Sequence, residues 1–191
     1  MNRDDKYEEF ERKFFKACQN GELRKVRIML PELANFGFCI DTRCPKGVCF
    51  SVDRYSDGNT TYGDLRGYTP LMLAAEFGHK KIAELLIAWG ATLHVQCYKG
   101  ETILMKAVRS GNLKLVKSLI FKNMVDGWVE KATTSSLTAL KLAVYYAHYN
   151  IIKYLLHIGC DDKYFVDKIY GDKKLNKIFK NHFNNNNRGE K

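Results

Sequence analysis

Gly67-Tyr68-Thr69-Pro70-Leu71-Met72-Leu73-Ala74-Ala75-Glu76-Phe77-Gly78-His79 is followed, 33 positions on, by Gly100-Glu101-Thr102-Ile103-Leu104-Met105-Lys106-Ala107-Val108-Arg109-Ser110-Gly111-Asn112. The second halves of the two stretches match as well, Ile82-Ala83-Glu84-Leu85-Leu86-Ile87 lying over Leu115-Val116-Lys117-Ser118-Leu119-Ile120. A fixed period of this length marks stacked supersecondary units, none of which can bury its apolar face alone. Within the clearest unit, Thr69 is placed to cap an inner helix and Pro70 to fill its first position, where no backbone donor is needed. Leu71, Ala74 and Ala75 give that helix a face small enough for close approach. Gly78 then ends it where a positive φ is called for. Ile82, Leu85 and Leu86 form the buried stripe of an outer helix that Gly90 stops.

The register runs on in both directions. Phe14, Ala17, Gly21, Val26 and Leu30 fit it at an offset of 57 residues, one period plus an insertion of 24. Downstream, Thr138-Ala139-Leu140 opens a fourth unit at an offset of 36, which closes at Gly159-Cys160-Asp161. Asn123 stands where the third unit needs its outer glycine, and Ala147 replaces the inner glycine of the fourth. The pattern predicts one domain over 1–183, with units at about 8–35, 64–96, 97–132 and 133–163, the first and last degraded as caps. Between the first two lies an insertion at about 36–63, in which Pro45 and Gly47 between aromatic and β-branched runs predict a hairpin. A terminal helix at about 164–183, divided near Gly171, carries Phe165, Ile169, Leu175, Ile178, Phe179 and Phe183 to cover the end of the stack; the polar residues 184–191 are expected to be disordered.

Asp64-Leu65-Arg66-Gly67-Tyr68-Thr69-Pro70-Leu71, then Ala74-Ala75-Glu76-Phe77-Gly78-His79, then Leu85-Leu86 and Gly90-Ala91, resembles the ankyrin repeat almost position by position. The resemblance implies an all-α solenoid of helix-turn-helix units with β-hairpin or turn fingers and a long finger insertion after the first unit. It also implies a noncatalytic module that binds a protein partner, in the manner of adaptors, scaffolds, inhibitors or pathogen effectors. In that family the turn tips and the end of the inner helix face partners. Carried over by register, these positions are Leu65, Arg66, Tyr68, Glu76 and Phe77, then Tyr98, Lys99, Glu101, Arg109 and Ser110, then Tyr145 and Tyr146. Trp128, in a second insertion, extends the surface. Tyrosine, tryptophan and arginine are the side chains that carry protein–protein hot spots. Replacing Tyr98, Arg109 and Tyr145 with Ala is therefore expected to abolish binding while leaving the melting temperature nearly unchanged.

The remaining composition narrows the alternatives. The 191 residues hold no apolar run long enough for a membrane span and no hydrophobic leader near Met1, and the six cysteines point to free thiols in a reducing, cytoplasmic compartment. Cys39, Cys44 and Cys49, with His94 or Cys97 from the neighbouring finger, were they to converge, would make a zinc site, and Cys44 with Cys49 an oxidative disulfide. The spacing lacks the usual paired form, so ordinary thiols and no cofactor are expected. No phosphate-binding loop, nucleophile–base pair or His-Glu-x-x-His is present, and His79 and His148 occupy the family's structural Gly-His position, so no enzyme is expected. Lys and Arg total 31 against 21 Asp and Glu, a net +10. These cations are spread along the second helices and read as a solvated convex face on a monomer. Charge-driven nucleic-acid binding is the alternative, disfavoured because no recognised motif accompanies it.

Overall fold

The computed structural model describes residues 3–35, 40–41, 67–97, 99–123, 138–160 and 172–186. Those residues form helices α1 (Arg3–Asn20), α2 (Leu23–Asn35), α3 (Pro70–Glu76), α4 (Lys80–Ala88), α5 (Ile103–Arg109), α6 (Leu113–Asn123), α7 (Ala139–Tyr145), α8 (Tyr149–His157) and α9 (Lys173–Asn186). No strand occurs among them; at the finger between α4 and α5 a single antiparallel bridge joins Gln96 to Thr102. That finger is a turn closed by Gly100 N–H on the Cys97 carbonyl at 2.8 Å, not a ladder. No helix among the described residues is long and apolar enough to cross a membrane.

The inner helices begin alike because the same short hydroxyl side chain stands before each. Thr69, Thr102 and Thr138 each accept from the backbone N–H three residues on, at 3.3 Å in all three cases. They satisfy one of the donors that a helix start leaves orphaned. Three of the four inner helices also end alike, the first with the Glu22 N–H on the Ala17 carbonyl at 3.0 Å, whereas after α5 the Asn112 N–H turns to Ser110 Oγ at 3.3 Å. The His79 N–H bonds the Ala74 carbonyl at 2.8 Å, and the His148 N–H bonds that of Ala143 at 2.9 Å, each closing a six-residue loop around a left-handed residue. In the fourth unit that residue is Ala147, at φ 53°.

Four inner helices, α1, α3, α5 and α7, pack side by side as one layer, each carrying its outer helix α2, α4, α6 or α8 against it. Ala17, Ala74, Ala75, Ala107 and Ala143 are buried at the inner seams, which lets these helices approach more closely than the outer ones do. Leu30, Leu86, Leu119 and Leu155 fill the space between the layers. The stack closes with α9 against α8, through buried Leu175 and Phe179. Two expectations shift here. The terminal helix runs to Asn186, three residues into the expected tail, while residues 161–171 lie outside the described residues. Asn123 is helical within α6 and not left-handed. Of the 36–63 insertion only Ile40 and Asp41 are described; the Asp41 carboxylate accepts from Thr92 N–H at 2.9 Å, fastening the insertion to the next finger.

Candidate protein-binding face

The ends of the inner helices fall on one line because the repeat puts them there. Glu76 and Phe77, Arg109 and Ser110, and Tyr145 and Tyr146 occupy equivalent places in three successive units. Tyr145 is 77% exposed and meets Tyr146 edge-on, with ring centroids 5.0 Å apart. Tyr146 in turn stacks on His148 at 6.0 Å, and Phe77 stacks on His79 at 6.3 Å. These histidines tie each unit to the one before it. His79 Nε2 lies 2.8 Å from the Gln19 carbonyl, and His148 Nε2 lies 3.3 Å from that of Arg109. In the third unit Asn112 does the same work, its Nδ2 donating to the Gly78 carbonyl at 2.9 Å while its Oδ1 caps α6. The aromatic rims are thereby held by hydrogen bonds between units.

Two residues expected at the exposed tips are inside the molecule. Tyr68 is 4% exposed and Glu101 is 5% exposed, because each turns back toward a fully buried ammonium, Lys106. Lys106 Nζ bonds the Tyr68 hydroxyl and Glu101 Oε2, stands 3.9 Å from the centre of the Tyr68 ring, and lies 3.5 Å from Glu76 Oε2. Arg109 completes the cluster, with Nη1 on Glu76 Oε1 at 3.1 Å and Nη2 on Glu101 Oε1. Two cations and two anions balance, as a desolvated charge requires. Burial opposes ionisation of Glu101, but Lys106 and Arg109 outweigh it and hold its carboxyl below the ordinary value. Burial also works against the Arg109 charge, and Glu101 and Glu76 more than restore it. The Tyr68 hydroxyl is pushed up by burial and by the Glu76 and Glu101 charges.

Arg109 and Glu76 are thus committed to the fold as much as to a surface. Sequence comparison of the units holds the signal that was missed: Lys106 falls where the second and fourth units place Leu73 and Leu142. Of the other expected positions, Lys99 is exposed, while Leu65, Arg66, Tyr98 and Trp128 lie outside the described residues. So do Cys39, Cys44 and Cys49. Cys97 is buried, with its sulfur 4.0 Å from Glu101 Oε2. Among the described residues no three His, Cys, Asp or Glu side chains gather as metal ligands.

A family model described as ankyrin repeats in three copies matches residues 13–125 and 89–165. An ankyrin repeat protein of fowlpox virus is 38% identical over 86 residues, 45% of this chain and 14% of its own length. A rice protein named as a probable E3 ubiquitin-protein ligase is 35% identical over 91 residues, 48% of this chain and 16% of its own. A zebrafish ankyrin repeat domain-containing protein is 36% identical over 64 residues, covering 34% and 13%. The chain therefore spans only a small part of each of these relatives. Ankyrin repeats generally mediate protein–protein interaction. With matched repeats over most of its length and a stack of capped helix pairs in register with them, the chain belongs to the ankyrin-repeat family.

Proposed function

We propose that the protein is a noncatalytic recognition module that binds a protein partner across the ends of its inner helices. The observation that carries this reading is Tyr145, a large aromatic side chain 77% exposed and braced edge-on by Tyr146, whose place Phe77 takes two units away. An aromatic held in place gives up little rotamer entropy on binding, so its burial is realised as affinity. Tyr98, Lys99 and Trp128 belong to the same proposed surface, and the insertion at 36–63 extends it beside Thr92. The ligase named for the rice relative is not carried over, since the shared stretch is 16% of that protein.

Arg109 changes how the surface is tested. Its truncation would leave Glu76 and Glu101 with Lys106 as their one cation, so Arg109→Ala is expected to lower the melting temperature as well. The informative variant is Phe77→Ala/Tyr98→Ala/Tyr145→Ala. Partners captured on the wild-type chain and identified by mass spectrometry would be purified and titrated against both proteins by calorimetry. The variant is expected to lose at least about 100-fold in affinity, roughly 3 kcal/mol, with helical content retained. Undiminished affinity would place the partner elsewhere on the molecule.

A further inference from the structure

Every outer helix starts at the same edge of the stack, and that edge is basic where helix electrostatics disfavour a cation. Arg24, Lys81 and Lys114 occupy the second position of α2, α4 and α6, and Lys173 and Lys174 open α9. No acidic residue lies in the first turn of α2, α4, α6, α8 or α9. One turn further on, Arg27, Lys117 and Lys153 stand in equivalent places on α2, α6 and α8, all exposed. The positive end of a helix stabilises anions, so these positions lower stability and call for another reason. The acids nearby are already engaged: Glu22 with Lys25 at 2.5 Å, Glu84 with Lys80 at 2.5 Å, and Asp172 with Tyr149 and the start of α9. Among the described residues Lys81, Lys114, Lys153 and Lys177 have no carboxylate partner. A separate feature sits on the same edge: an open cavity between the starts of α6 and α8 and the side of α9, lined by His148, Asn150, Lys153, Lys174 and Lys177 among others.

We infer that this edge docks the phosphate backbone of double-stranded nucleic acid, without reading its bases, on a surface that adjoins the aromatic face across the short turns between inner and outer helices. Protein–protein interfaces are poor in lysine and rich in exposed aromatics, whereas nucleic-acid interfaces are strongly positive. Here the tyrosines of the outer helix α8 are covered by lysines, Lys117 over Tyr154 at 5.0 Å and Lys174 over Tyr149 at 4.4 Å, which leaves ammonium groups as the outermost chemistry on that helix. Helices packed at 8–10 Å give the five-helix row a length of about 40 Å, the span of about 12 base pairs. Cations held in a row of that length meet a rigid, evenly charged rod.

The test is fluorescence anisotropy of a labelled duplex of about 24 base pairs with the full chain between about 50 and 200 mM salt. Binding indifferent to sequence is expected, with log K falling against log salt at a slope of about −4 to −6. Lys81→Gln/Lys114→Gln/Lys153→Gln/Lys177→Gln is expected to weaken binding at least about 30-fold and to reduce the slope by about 3 to 4. Lys81 and Lys114 stand in first turns, where their removal relieves the conflict with the helix dipole. None of the four has a carboxylate partner to lose among the described residues, so this variant should melt at or above the wild-type temperature, which separates lost binding from lost folding. Arg12→Gln/Lys13→Gln/Lys16→Gln/Lys141→Gln removes the same formal charge elsewhere and is expected to stay within about 3-fold. Equal losses in the two variants, or no binding at low salt, would overturn the inference. So would poly-glutamate competing as well as unlabelled duplex, which would make an acidic polypeptide the occupant.

Discussion

Lys106 occupies an inner-helix position that Leu73 and Leu142 fill in the flanking units, yet it has no exposed surface at all. A lysine there is tolerable only because Glu101 and Glu76 neutralise it and Tyr68 accepts from it. Taking away one member leaves the others charged and dry. Lys106→Met, close to it in volume, is therefore expected to cost about 3–5 kcal/mol in denaturant unfolding, and Lys106→Met/Glu101→Gln to recover most of that loss, since the remaining Arg109–Glu76 pair is balanced. The cluster also sets a pH dependence. Glu101 has a folded value below its unfolded one, so its contribution is present above about pH 4.3 and disappears as pH falls through the lowered value. Glu11 works with the opposite sign: burial raises it, and its contribution fades as pH rises through the raised value. Glu101→Gln is expected to flatten the acid limb of stability below about pH 4.3, read by urea midpoints; an unchanged limb would show that other carboxylates govern it.

At the level of the element, the helix ends were the most legible part of the sequence. Thr69, Thr102, Thr138 and the glycines after the inner helices act through contacts a few residues away, so local spacing is enough to identify them. What a glycine faces across the stack is another matter. A Cβ on Gly111 would come within 2.7 Å of the His148 ring of the next unit, whereas one on Gly159 would meet nothing within 4 Å, although both residues have positive φ. Gly111→Ala should thus cost at least about 2 kcal/mol and Gly159→Ala about 1 kcal/mol. Ala147, at φ 53° in the position equivalent to Gly111, carries the matching strain. Ala147→Gly is expected to raise stability by up to about 1 kcal/mol, the relief of strain exceeding the entropy added to the unfolded chain. Thermal melts of the three variants in that rank order would support this account; equal losses at Gly111 and Gly159 would show that the His148 contact is easily rearranged.

On the scale of the whole molecule, α9 closes the C-terminal end of the stack with Leu175 and Phe179 against α8. Burying two such side chains stabilises by about 3–6 kcal/mol, so removing residues 172–191 should make the fourth unit the first to exchange its amides in hydrogen-exchange measurements. Uniform protection across the units would mean that the stack does not need this helix. The same helix brings Lys174 and Lys177 beside Lys153 of α8, so part of a charge that reads along the chain as scattered comes together in the fold. By itself the sequence determined the family, the repeat register, the helix caps and the core positions, because a 33-residue period and hydrophobic spacing report neighbours that recur at known offsets. Only the tertiary structure decided that Tyr68 and Glu101 turn inward, that Arg109 is bound into an ion cluster, and that Lys153, Lys174 and Lys177 line one cavity. Those outcomes depend on side chains from different units meeting in space, and a linear pattern carries no record of the direction in which a long polar side chain finds its partner.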